Sequence, residues 1–375
     1  MRNVVITGIG MVTPLGRSPQ DVLDRIYRNE IAATKPMFET SEFDCSLCAP
    51  ISDFNPEQYF PENKSLRLMN RDAQMAVVAA HLAMEDAKVN SDTTYPAEDI
   101  ALYGSTGVAG MSVEEITRII RYAANEDGTL NLENFGKIAL RRVRPVLSFR
   151  ILANMPICFI SIFQNIRGPN AVYTPWEGHG AQAIAAGIQA IKRGLVQCAL
   201  VGGCDCKTRE LSFINLQQLG IFESWKQSGK GCIPGEGSVF LVLEDEETAN
   251  RRGKKAYAKI SDYKLSSVTD NSRLKETLLS TMSELEINGK ARVIAASDGD
   301  VAIAENEKLV LEHLGLDSQK LLKPKSNIGN LFAAAAAVQV GLAAKLASRH
   351  ETKQQIIANC FGYGSEYASF VLETV

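Results

Sequence analysis

Residues 168–194 read GPNAVYTPWEGHGAQAIAAGIQAIKRG, and their spacing predicts a helix with no solvent-facing side. Ala181, Ile184, Ala185, Ile188 and Ile191 share one apolar face at helical period. The opposite face carries Ala183, Ala186 and Gly187, where a surface helix would carry charges. Residues 330–347, NLFAAAAAVQVGLAAKLA, have the same property through Ala333 to Ala337. Two helices buried all round predict a central helical layer sandwiched between sheets.

The segments around these helices alternate strand and helix signals. VVITGIG at 4–10 has the β-branched run of a buried strand, and the glycines that follow read as a tight turn beside a ligand or partner. Gly8 and Gly10 begin a GxG, but Thr13 stands where a dinucleotide fingerprint needs its third glycine and Pro14 follows. AQMAVVAAHLAMEDA (73–87) has helical spacing, and DIALYGSTG (99–107) reads as a strand entering a small-residue loop. The polar, basic residues 111–152, with RRVRPVLSFR, read as a helical insertion or cap.

An internal echo points to duplication. GEGSVFLVLED (235–245) and GSEYASFVLET (364–374) both run from a glycine turn into an apolar strand that ends on an acid. The boundary is expected at 254–258, giving an N-terminal half 1–254 that holds the insertion and a C-terminal half 255–375.

Composition narrows the function. Apolar residues are 45% and charged residues 22% of 375, the balance of a globular chain. A formal net charge of -3 supplies no field for nucleic acid or an anionic membrane. The start MRNVVITGIG lacks the pattern of a secretory signal, and no 18-residue apolar run follows, so a cytoplasmic location is expected. Cys45 and Cys48 form a CxxC, and Cys204 and Cys206 a CxC. Neither pair lies near histidines at zinc spacing, so no metal site is expected and the eight cysteines read as reduced thiols.

VVITGIGMVTPLG, NMPICFISIFQNIRGPN, ALVGGCD, PGEGSVFLVLE, KPKSNIGN and NCFGYG, in this order and spread over almost the whole chain, resemble the β-ketoacyl-acyl carrier protein synthases of the thiolase superfamily. The resemblance implies an α/β, thiolase-like five-layer αβαβα sandwich built from two related halves and working as a dimer, with no cofactor. Active relatives place a cysteine at the start of the first buried helix, where free N–H groups favour a thiolate and hold the acyl-transfer oxyanion. Two histidines then assist decarboxylation and hold the enolate.

By the same resemblance, Glu177 stands at the cysteine position, Ser297 at the first histidine and Asn330, in Lys325-Ser326-Asn327-Ile328-Gly329-Asn330, at the second. A carboxylate attacking a thioester would give a mixed anhydride that water destroys, and an amide cannot cycle a proton as imidazole does. The four histidines are His81, His179, His313 and His350, and of these His179 alone falls near the site. Glu177 reads as a pocket plug, as a base, or as an ordinary first-turn acid worth about 0.3–1 kcal/mol. Lys325 matches a lysine that relatives keep beside the site and is expected to pair with Glu177. Tyr363 stands at a gating aromatic position, its hydroxyl expected near Glu177 or Asn330, and Thr106 lies in a loop bordering the pocket. Lys64, Arg67 and Arg71 fall where relatives meet the acidic acyl carrier protein; as a bare charge run they read as a solvated face.

The functions implied are three. One is a silent subunit similar to the chain length factors of type II polyketide synthases, paired with an active ketosynthase and shaping its acyl tunnel. The second is an acyltransferase or decarboxylase with altered chemistry, using Glu177 on carrier-protein or coenzyme A thioesters. The third is a homodimeric acyl-binding scaffold.

Overall fold

The structure, a computed structural model, describes residues 2–108, 112–143, 146–268, 273–296, 301–318, 321–350 and 352–375. Nine strands carry the fold: β1 (Val4–Val12), β2 (Ile100–Thr106), β3 (Asn170–Tyr173), β4 (Cys198–Cys206), β5 (Glu236–Asp245), β6 (Ala258–Ser267), β7 (Arg292–Ile294), β8 (Gln355–Cys360) and β9 (Glu366–Glu373). They order as β3-β2-β4-β5-β1-β6-β9-β8-β7. The two echo segments become β5 and β9, which hold matching places. β5 runs antiparallel between β4 and β1, and β9 antiparallel between β8 and β6.

The sheets expected on either side of the central helices join at one place. Val4, Val5 and Ile6 of β1 pair with Ile260, Lys259 and Ala258 of β6, making one continuous nine-stranded sheet. Each strand then shifts register, β1 between Ile6 and Gly8 and β6 between Ile260 and Asp262. Bulges of this kind bend a strand, so the two arms part and fold over the helices between them.

The Glu177–Lys192 and Ala335–Ala347 helices fill that space. The first packs on β2 and β4 and also on β9; the second packs on β8 and also on β4 and β5. Ile184, Ile188, Val340 and Leu342 are fully buried. Truncating any one of the four to alanine would cost about 2–5 kcal/mol. The Arg71–Ala87 helix covers the outer face of β1, β4 and β5, and the Leu274–Ser283 and Val301–His313 helices cover the second arm. Counted through, these are the five layers αβαβα.

The glycines of β1 have a different role from the one read in sequence. Gly8 and Gly10 lie inside an extended strand that runs to Val12, not in a turn beside a ligand. A Cβ on them would fall 2.3 Å from Ala83 O and 2.0 Å from Ala79 O, so they let the Arg71–Ala87 helix lie directly against the sheet. Residues 112–143 and 146–151 form short helices beside that helix, beginning with a capping box at Ser112 and Glu115. No helix among the described residues is long and apolar enough to cross a membrane.

Candidate active site

Three backbone turns converge on the start of the first central helix. β3 leads through Trp176 into Glu177, the first residue of that helix. The short Pro324–Ile328 helix carries Lys325 and ends at Gly329, whose φ of +75° suits a residue without a side chain and turns the chain toward Asn330. The third turn follows β8 through Phe361, Gly362 and Tyr363.

These turns enclose the Glu177 carboxylate, whose residue is 0% exposed. Its Oε1 accepts from Lys325 Nζ at 3.2 Å and from Asn330 Nδ2 at 2.8 Å. Its Oε2 accepts from the Tyr363 backbone N–H at 3.1 Å. Lys325 Nζ also donates to Phe361 O at 3.3 Å, and Asn330 Oδ1 accepts from Phe332 N–H at 2.8 Å. A Cβ on Gly362 would lie 2.2 Å from Glu177 Cδ, so backbone closes the carboxylate on that side as well. Trp176, Phe332 and Tyr363 stack around the entrance with ring centroids 6.1–6.3 Å apart.

The consequence is chemical. A charge taken out of water at this depth needs a partner and further hydrogen bonds, and Glu177 has both. No thiol lies at this position; of the eight cysteines Cys158 is half-buried and seven are buried. Burial pushes the thiols of Cys45 and Cys48 up to about 11, the opposite of an activated nucleophile.

The other sequence candidates fall in several places. His179 Nδ1 accepts from the Trp176 N–H at 3.3 Å, and Nε2 stands 3.9 Å from Glu366 Oε1. It therefore closes the helix start instead of facing Glu177. Thr106 is buried and its hydroxyl donates to Ala153 O at 2.7 Å. Tyr363 meets Glu177 through its backbone N–H. Ser297 lies outside the described residues.

Lys64 and Arg67 are exposed on a short 3-10 helix, Lys64–Leu68. Arg71 turns inward: its guanidinium grips both oxygens of Glu236 at 2.6 and 2.8 Å and donates to Ile51 O at 2.6 Å. Burial pushes the Glu236 carboxyl up, and the Arg71 guanidinium overcomes this and holds it below its usual range. This pair was missed in sequence. Its signal was an acid opening an otherwise apolar strand. A second buried group, Asp205 with Lys207 Nζ at 2.9 Å, sits at the end of β4. Near it Asp72 is pushed up to about 7, first by burial and then by the Asp205 charge. Among the described residues no three histidine, cysteine or acidic side chains are arranged to hold a metal ion.

Comparison with known proteins identifies the family. The family model for the β-ketoacyl synthase N-terminal domain matches residues 1–249. A 3-oxoacyl-[acyl-carrier-protein] synthase 2 from Synechocystis sp. is 27% identical over 70% of this chain and 62% of its own length. The chain thus matches less than two-thirds of that relative. The Vibrio cholerae protein of the same name is 23% identical over 99% of both chains. Among solved structures, the ishigamide ketosynthase/chain length factor superposes with a TM-score of 0.79 at 19% identity, covering 100% of this chain and 99% of that one. A type II polyketide synthase acyl-carrier protein complex with its ketosynthase gives 0.80 at 16% identity over 100% of both chains. At these identities the superpositions show the shared fold alone.

Proposed function

Because this chain belongs to the β-ketoacyl synthase family, we propose that it is a non-condensing, chain-length-factor-type subunit that pairs with an active ketosynthase and shapes its acyl tunnel. One observation carries the reading. Where the family resemblance calls for a nucleophilic cysteine, a fully buried carboxylate is tied to Lys325, Asn330 and the Tyr363 backbone. That arrangement fills the space an acyl thioester would need and offers no sulfur to store it.

The role left to such a subunit is geometric. Ligand pockets are concave, mostly apolar and largely pre-formed, so a protomer that does no chemistry still sets how long a chain its partner holds. The acyl carrier protein then docks for the partner's benefit, with Lys64 and Arg67 as exposed cations of this subunit's docking face. The division into halves 1–254 and 255–375 belongs to the same proposal. A decarboxylase using Glu177 as base is the weaker reading, because the carboxylate it needs is engaged on both oxygens.

Co-expression with a ketosynthase that retains cysteine and both histidines tests the pairing. The expected result is a 1:1 complex on size-exclusion chromatography, and products whose length changes when tunnel-facing residues of this chain are varied. Carbon dioxide release from a malonyl thioester by this chain alone, lost in Glu177→Gln, would replace this proposal with the decarboxylase.

A further inference from the structure

A cavity of about 480 Å³ lies between the Arg71–Ala87 helix and the short helices of residues 112–143 and 146–151, and its lining includes none of Glu177, Lys325 and Asn330. Its volume is in the range of small-molecule sites, roughly 300–1,000 Å³. Arg118, Arg142, Arg150 and Arg209 line it, and against them stand Glu114 and Glu115. Glu115 is already engaged, accepting from the Ser112 N–H at 3.0 Å in the capping box. The fifth arginine of the wall, Arg71, is neutralised by Glu236. None of the four other arginines forms an ion pair among the described residues, although Arg209 acts on the buried Asp72 carboxyl, so the wall holds more cations than acids.

The wall is held in place. Asn70 Nδ2 donates to Arg150 O at 2.9 Å and Arg150 Nη2 to Arg67 O at 3.1 Å, which fastens the capping helices to the underlying chain. The guanidinium of Arg142 lies 5.0 Å over the Tyr122 ring. Arg150 Nε is buried and has no hydrogen-bond partner among the described residues, and a buried charged donor left unpaired costs more than an ordinary lost hydrogen bond. Apolar Ile119, Leu147 and Ile151 share the remaining lining with polar Asn70, Gln74 and Ser112.

We propose that this cavity binds a small amphipathic anion, a carboxylate or phosphate head on a short apolar chain, with the arginines on the head and the apolar wall on the tail. Guanidinium groups match both heads by paired hydrogen bonds. The site is independent of what Glu177 does, so its test does not depend on the pairing proposed above.

Calorimetric titration of the full chain with octanoate, octyl phosphate and octan-1-ol decides it. Either anion should bind at least about tenfold more tightly than the alcohol, and whichever binds identifies the head group. Arg118→Gln and Arg142→Gln should each weaken that binding about five- to tenfold. Arg141→Gln, one residue away and outside the lining, should leave it unchanged. Equal binding of octan-1-ol would show an apolar patch only and overturn the proposal. So would no binding by either anion, or unchanged affinity in both variants while thermal unfolding shows them folded. A fourth outcome also overturns it: an acidic carrier protein whose binding is lost in the arginine variants while octanoate and octyl phosphate do not compete.

Discussion

Glu177→Ala is expected to be among the most destabilising single changes in this chain. It leaves the Lys325 ammonium buried with Phe361 O and strips Asn330 Nδ2 and the Tyr363 N–H of their acceptor. Breaking a buried pair from one side costs about 3–5 kcal/mol. For 375 residues the unfolding entropy near the midpoint is about 0.8 kcal/mol/K, so the melting temperature should fall about 4–6 °C. Glu177→Gln keeps the shape and loses the charge, and should cost roughly half as much. The double change Glu177→Gln/Lys325→Met should cost less than the two single losses added together, because each single change strands the other's partner. Calorimetry and urea unfolding measure all four proteins. A loss below about 0.5 kcal/mol in Glu177→Ala would refute the reasoning, since it would mean that the pair is solvated and the pocket open.

Other outcomes follow from the same geometry. Asp72 has its folded-state pKa raised to about 7, by burial and then by Asp205, so the folded state holds its proton more tightly than the unfolded one. Stability should therefore fall as pH rises from about 4 to 7, and Asp72→Asn should stabilise the protein at pH 8 by up to about 4 kcal/mol. Little change at pH 8 would remove Asp72 as the source. Arg71→Gln should destabilise by about 3–5 kcal/mol because Glu236 is left buried and unpaired. Arg67→Glu, at an exposed position, should spare stability and abolish any salt-sensitive carrier binding, and unchanged carrier affinity would end the docking proposal. Native protein should react with a thiol reagent quickly at one cysteine, Cys158, and at the seven buried thiols only as it unfolds. Rapid labelling of Cys45 or Cys48 would contradict their burial.

The fold was legible where side-chain period and composition coincide. The all-round apolar helix at 177–192 and the paired strand endings around Asp245 and Glu373 carry their burial in their spelling. The join of β1 to β6 was not legible, because three residue pairs and two bulges depend on where distant segments meet. Gly8 and Gly10 show the same limit. Sequence marks them as positions without a side chain, and only packing says that helix backbone, not a ligand, takes the space. At the site, the approach of Lys325 and Asn330 to Glu177 was expected from the family resemblance of their motifs. The inward turn of Arg71 did not, since a charge run on a helix start looks the same whether its guanidinium meets water or Glu236. Likewise His179 could be placed in the first turn, but not aimed; its Nδ1 faces the Trp176 N–H.

On the proposed function, this chain by itself neither loads nor extends an acyl chain. Isolated protein, incubated with a primed acyl carrier protein and isotope-labelled malonyl carrier, should return both substrates intact by mass spectrometry, with no acyl adduct on any cysteine. A labelled product two carbons longer, made by this chain alone, would contradict the account.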